Sequence, residues 1–155
     1  MNAQKLVIGS DHGGFELKCR LKNHLENKGY DLTDIGCYSA ESVDYPEYAR
    51  LCCARVISNP GSLGILICGS GIGMSISANK FLGIRAALCT SEYHAEMSKR
   101  HNDANVLCLG ARVTAFEYAA EIARVFLNTG FDGGRHEKRL KAIEDIETNN
   151  QRDCI

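Results

Sequence analysis

Tryptophan is absent from this 155-residue chain, prolines number two, and neither sign of charge is in real excess. The 18 basic and 19 acidic residues leave a formal net charge of −1, so no global field draws the chain onto nucleic acid or an anionic membrane. Any anion site must be a local cluster. Long apolar runs are missing too: the longest is about six residues, Leu63–Cys68, far short of a membrane span. The opening Met1-Asn2-Ala3-Gln4-Lys5 carries no signal-peptide apolar stretch, so a cytoplasmic protein is expected. Neither a G-x-x-x-x-G-K-[ST] nucleotide loop nor a true G-x-G-x-x-G fingerprint occurs, the third glycine of the one near match falling a position early. Eight cysteines are present, but no C-x-x-C pair, which argues against a zinc site and for reduced, mostly structural thiols.

What remains is ordinary for a globular chain, with 45% hydrophobic and 24% charged residues. The length suits one domain, which would bury roughly 70% of the surface its unfolded chain exposes. Short leucine-rich or β-branched runs alternate with helix-period segments. Strands are expected near Lys5–Ser10, Tyr30–Ile35, Leu63–Cys68, Ile84–Cys89 and Val106–Leu109. Helices are expected near Phe15–Lys28, where Leu17, Leu21 and Leu25 share a face, and from Pro46 to about Ser58. Further helices are expected over Met74–Lys80, Ser91–Arg100, Asn128 back to a Thr114–Glu117 capping box, and Arg135–Glu147. Residues 1–147 then form one domain, and 148–155 a polar, frayed tail. Five strands joined by helices predict an α/β/α Rossmann-like sandwich with a parallel sheet, order 2-1-3-4-5. In that order a ligand crevice opens beyond the carboxyl ends of strands one and three. The glycine-bearing loops Asp11–Gly14 and Cys68–Gly73 flank it.

Three clusters could carry chemistry. In Cys68-Gly69-Ser70-Gly71-Ile72-Gly73, alternating glycines after a buried strand let backbone N–H groups converge on an anion. A thiol at the head of that loop is favoured as thiolate and pairs a base with oxyanion donors. In Asp11-His12, the carboxylate caps the following helix and the histidine suits a bound anion. Arg135 and Arg139 lie one helical turn apart, with His136 between them. Two arginines opposing a helix dipole are compensated by an anion, and bidentate phosphate contacts supply one. Arg112, after the fifth strand, is expected to join them. His101 closes a helix, a place that favours imidazolium and makes it a candidate general acid.

These blocks resemble the ribose-5-phosphate isomerase B family (the RpiB/LacA/LacB sugar-phosphate isomerases) over about residues 5–147. The matching stretches include Gly9–Gly14, Asp44-Tyr45-Pro46, Ile67–Gly73, Ala78-Asn79-Lys80, Gly83–Ala86, Arg100–Asn105 and Gly133–His136. The resemblance implies interconversion of D-ribose 5-phosphate and D-ribulose 5-phosphate through an enediolate, with no metal and no cofactor. It implies that His101, helped by Asp11, opens the furanose ring, and that Cys68 moves a proton between C2 and C1. Amides of Gly69, Gly71, Ile72 and Gly73 and the Ser70 hydroxyl would hold the enediolate. His12, Arg112, Arg135, His136 and Arg139 would hold the phosphate, with Asn102 on a sugar hydroxyl and Tyr45 nearby. A homodimer with shared active sites is implied, His101, Asn102 and Arg112 coming from the partner, with further pairing into tetramers left open. Some relatives use a glutamate later in the loop; Met74 and Ser75 stand there in this chain, leaving Cys68 as the only base.

Rival readings stay open at this level. A six-carbon substrate, allose 6-phosphate or galactose 6-phosphate, is the nearest. A thiol redox sensor accounts for Cys68 but leaves the arginines idle. A non-catalytic sugar-phosphate sensor would keep the arginines and need no base.

Overall fold

The computed structural model describes residues 5–152. Five parallel strands form one sheet: β1 (Lys5–Ser10), β2 (Asp31–Asp34), β3 (Leu63–Cys68), β4 (Ala86–Leu88) and β5 (Val106–Gly110). Six α-helices accompany them: α1 (Phe15–Asn27), α2 (Tyr45–Ser58), α3 (Ile72–Ala78), α4 (Glu92–Arg100), α5 (Phe116–Asn128) and α6 (Arg135–Arg152). β3 is central because all six of its residues are buried, as a strand covered on both faces requires. It pairs with β1, Ile65 opposite Ile8, and with β5, Cys68 opposite Gly110.

The right-handed rule for parallel crossovers assigns the helices to faces. Moves from β1 to β2 and from β4 to β5 run one way along the sheet, so α1 and α4 share a face, joined by α5. Moves from β2 to β3 and β3 to β4 run the other way and put α2 and α3 opposite. The core divides accordingly. Leu17, Leu21, Leu25, Ala95 and Phe126 fill one side, and Ala49, Cys52, Cys53, Met74 and Ala78 the other.

Several boundaries differ from the sequence expectation. The order is 2-1-3-5-4, not 2-1-3-4-5. β5 has five fully buried residues and takes the inner position, whereas Ala86–Leu88 is three half-buried residues, suited to an edge. The capping box is not formed: α5 begins after Ala115, and no side chain caps it. α6 continues to Arg152, so residues 148–152 are helical rather than frayed, and 153–155 lie outside the described residues. Ion pairs on its flank, Lys141 with Glu144 and Asp145, favour that continuation.

One buried charge braces the crevice end of the sheet. Lys18 of α1 is fully buried, and its Nζ donates to both Asp34 oxygens at 2.7 and 2.8 Å and to the Cys37 carbonyl at 2.8 Å. Asp34 closes β2, so this ammonium ties α1 to the loop beside the crevice. Lys18→Met is expected to lower unfolding free energy by about 3–5 kcal/mol in denaturant titration, because Asp34 is left poorly compensated. A loss below about 1 kcal/mol, the range of exposed ion pairs, would contradict that role.

Candidate active site

The crevice lies where β1 and β3 end side by side. The Asp11 N–H donates to the Ile67 carbonyl at 3.2 Å, bringing the Asp11 loop against the end of β3. Asp11 is buried, and its carboxylate accepts the Gly14 N–H at 3.0 Å, capping a single 3₁₀ turn over His12–Gly14. The Val43 backbone meets His12 Nδ1, N–H and C=O each at 3.2 Å, which leaves Nε2 for a ligand. Tyr45 lines the same end: a Cβ built on Gly73 would lie 2.7 Å from its ring.

Cys68 is the last residue of β3 and only 4% exposed. The Gly71 N–H donates to its sulfur at 3.1 Å, a contact that stabilises negative charge there. Gly71 makes this possible by adopting φ +80°, and a Cβ on it would stand 2.9 Å from the Leu109 carbonyl carbon. The loop amides are therefore not all free for an oxyanion. Gly71 serves the sulfur, and the Ile72 N–H donates to Ser70 Oγ at 3.3 Å, leaving the Ser70 hydroxyl proton for a ligand.

Arg112 belongs to this crevice. Its N–H donates to the Gly69 carbonyl at 2.9 Å, and its guanidinium lies over Gly69, 3.1 Å from where a Cβ would stand. The expectation that it joins Arg135 and Arg139 fails within one chain. The residues just after β5 lie at the carboxyl edge, whereas α5 carries the chain back before α6 begins.

His101, Asn102, Arg135, His136 and Arg139 gather at the amino edge. His101 caps the C-terminus of α4, as the sequence indicates. Its ring stacks on His136 with centroids 4.3 Å apart and planes 8° from parallel. Arg135 Nε approaches His136 Nε2 at 3.4 Å, and Arg139 lies one turn along α6. The Asn102 carbonyl accepts from Arg85 Nε at 2.9 Å, and Asn102 lines a cavity of about 480 Å³ with Ile143 and Ile146 of α6. The five residues of β5 separate this edge from Cys68, a rise of roughly 17 Å. One chain thus carries two clusters of candidate site residues at opposite ends of its sheet.

Sequence reasoning missed Asp132. Its ring-facing carboxylate and the nitrogens of His101 and His136 lie within 4.8 Å of one another, a set that could hold a cation. The surroundings suit an anion better. Arg100 Nε already contacts both Asp132 oxygens, at 3.2 and 3.1 Å, and the Arg135 and Arg139 guanidinium groups add positive charge. An acidic residue directly before Gly133-Gly134-Arg135-His136 was the available signal. Burial first, then the positive charges of His101, Arg135 and Arg139, holds His136 below its ordinary value.

Burial also separates the thiols. It pushes Cys89 up to about 11 and Cys53 to about 12, and raises Cys52 and Cys108 further. None has a turn amide aimed at it as Cys68 does, so these four are inert packing groups.

A doubly wound parallel sheet whose carboxyl-edge crevice holds a thiol, a carboxylate and a histidine defines an α/β enzyme acting on a small molecule. The profile of the family described as Ribose/Galactose Isomerase matches residues 6–143. Ribose-5-phosphate isomerase B of Escherichia coli (strain K12) is 45% identical over 144 residues, 93% of this chain and 97% of that protein. Among solved structures, Clostridium thermocellum ribose-5-phosphate isomerase B superposes with a TM-score of 0.93 at 46% identity, covering 95% of this chain and 99% of that one. The Mycoplasma genitalium ribose-5-phosphate isomerase B with bound ribulose-5-phosphate gives 0.89 at 40% identity, covering 93% and 96%. The chain belongs to the ribose/galactose isomerase family.

Two outcomes check this electrostatic picture. Alkylation at neutral pH followed by peptide mapping should label Cys68 while Cys52, Cys53, Cys89 and Cys108 stay unmodified; labelling of those four at the Cys68 rate would contradict it. The His136 ring should titrate below 6.5 by NMR. Its folded value lies under its unfolded one, so the stability it contributes is complete above 6.5 and falls as pH drops below that. A midpoint above 6.5 would show that Asp132 outweighs burial.

Proposed function

We propose that the protein is a ribose-5-phosphate isomerase, interconverting D-ribose 5-phosphate and D-ribulose 5-phosphate. The observation that carries this reading is the Cys68 sulfur, held at the end of β3 by the Gly71 N–H at 3.1 Å, with the Asp11 loop bonded to the adjoining Ile67 carbonyl at 3.2 Å. His101, with Asp11, opens the furanose by delivering a proton to the ring oxygen as the anomeric hydroxyl gives one up. The Cys68 thiolate then takes the proton from C2, and the electron pair moves through C1 to the aldehyde oxygen. The enediolate accepts donors from the Ser70 hydroxyl and the Gly69–Gly73 backbone. Returning the proton from sulfur to C1, while the C2 hydroxyl proton passes to the C1 oxygen, yields the ketose. Binding energy from the phosphate, held by His12 and Arg112 on one side and Arg135 and Arg139 on the other, keeps the reacting carbons in register.

The working unit is a homodimer in the cytoplasm, each site joining the Cys68 crevice of one copy to the His101–Arg135–Arg139 edge of the other. The separation of those edges supports it, as do exposed isoleucines beside each: Ile72 is 53% exposed next to the crevice and Ile146 60% exposed on α6. A two-fold arrangement makes two such sites from two identical chains.

Cys68→Ala is expected to reduce turnover of ribose 5-phosphate by about 10³-fold or more while leaving substrate affinity within a few-fold, since a positioned base is worth about 10²–10⁴. Near-normal turnover would defeat the mechanism. Mixing Cys68→Ala with His101→Asn, each inactive alone, should restore about a quarter of the wild-type sites, because half the dimers then carry one intact site of two. No recovery under conditions where subunits exchange would argue that each chain holds its own complete site.

A further inference from the structure

We propose that His136 is a positioning residue, a neutral imidazole that seats the His101 ring and holds Arg135 beside it, rather than a direct contact to phosphate. This rests on the reading that His101 opens the sugar ring, and it reassigns a residue grouped above with the phosphate set.

The geometry supports a shelf. His136 stands in the first turn of α6, its N–H donating to the Gly133 carbonyl at 3.1 Å, and it is only 6% exposed. A ring so enclosed has little surface to offer a phosphate. One face is covered by His101 at 4.3 Å in a near-parallel stack. Two imidazolium rings would repel at that separation, so one of the pair is neutral. Burial selects His136, and the charges of His101, Arg135 and Arg139 press in the same direction, opposed by Asp132. The Arg135 contact agrees with this. Nε donates toward His136 Nε2 at 3.4 Å, which needs an unprotonated nitrogen there and puts the ring proton on Nδ1. A neutral aromatic face beneath a charged imidazole is favourable in the manner of a cation over a π-system.

The shelf is braced in turn. The Asp132 N–H donates to the Arg100 carbonyl at 3.0 Å, and the Arg100 guanidinium spans Asp132 and Glu96, the latter at 3.0 Å. The loop that carries α6 is thereby fastened to the end of α4, next to His101. A ring-opening acid on a helix end gains from such bracing, because an ångström of misplacement costs about 10²-fold in rate.

Two substitutions separate the functions of the ring. His136→Asn keeps a polar group and removes the flat face; His136→Phe keeps the face and removes Nε2. With ribose 5-phosphate, His136→Asn should lower kcat by about tenfold or more with KM within about twofold, the signature of an interaction realised in the transition state. Turnover from ribulose 5-phosphate, which is acyclic, should fall less. His136→Phe should recover most of that kcat while KM rises, Arg135 having lost its acceptor. In NMR spectra the upfield ring-current shift of the His101 ring protons should persist in the Phe variant and vanish in the Asn variant. Equal rises in KM for both variants, with kcat unchanged and the His101 signal unmoved, would overturn the proposal and return His136 to phosphate binding. His101→Asn serves as the separate control. Undiminished turnover of ribose 5-phosphate in that variant would refute the ring-opening reading itself, whereas a His101→Asn defect with an unmoved His136→Asn kcat would refute only the shelf.

Discussion

Polarity of the parallel sheet is the constraint on which the rest depends. Every strand points the same way, so each turn following a strand sits at one edge and each turn following a crossover helix at the other. Cys68 ends β3, and Asp11 and Arg112 come after β1 and β5; His101 follows helix α4, and Arg135 follows the return of the chain along α5. No rearrangement of side chains can bridge the roughly 17 Å between those edges, because the buried strand β5 lies along the gap. In the proposed homodimer, a second copy would set its amino edge against the first copy's carboxyl edge and supply the other cluster.

Within the crevice, the chemistry follows from where backbone donors are aimed. A loop of alternating glycines could have presented all its amides to an oxyanion. Instead, Gly71 turns its N–H onto sulfur and Ile72 turns its own onto Ser70. The loop therefore spends one amide on the Cys68 sulfur and another on the Ser70 oxygen, and the serine hydroxyl keeps its proton for a ligand. Cys52, Cys53 and Cys108, deep among Ala49, Met74 and Val106, are pushed away from ionisation by their burial.

Much of this was legible in the residues. The apolar run Leu63–Cys68 announced a central strand, the Leu17-Leu21-Leu25 stripe a core-facing helix, and the thiol beside three glycines a candidate site. Other features were not. The order of β4 and β5 depends on how many residues are buried on both faces, which Ala86-Ala87-Leu88 and Val106–Gly110 reveal only in three dimensions. Thr114 reads as a cap, yet α5 starts one residue later, leaving the hydroxyl outside the motif. Arg112 and Arg135 look alike in sequence, and only the direction of α5 separates them. Asp132 was invisible because its significance comes from Arg100 and two imidazoles distant along the chain.

The most direct test is a crystal structure of the protein with a non-isomerisable hydroxamate analogue of the enediolate that carries a terminal phosphate. The hydroxamate is expected beside the Cys68 sulfur and Ser70 of one protomer, with the phosphate reaching Arg135 and Arg139 of its partner. An analogue seated wholly within one chain, or one bound away from that sulfur, would contradict it.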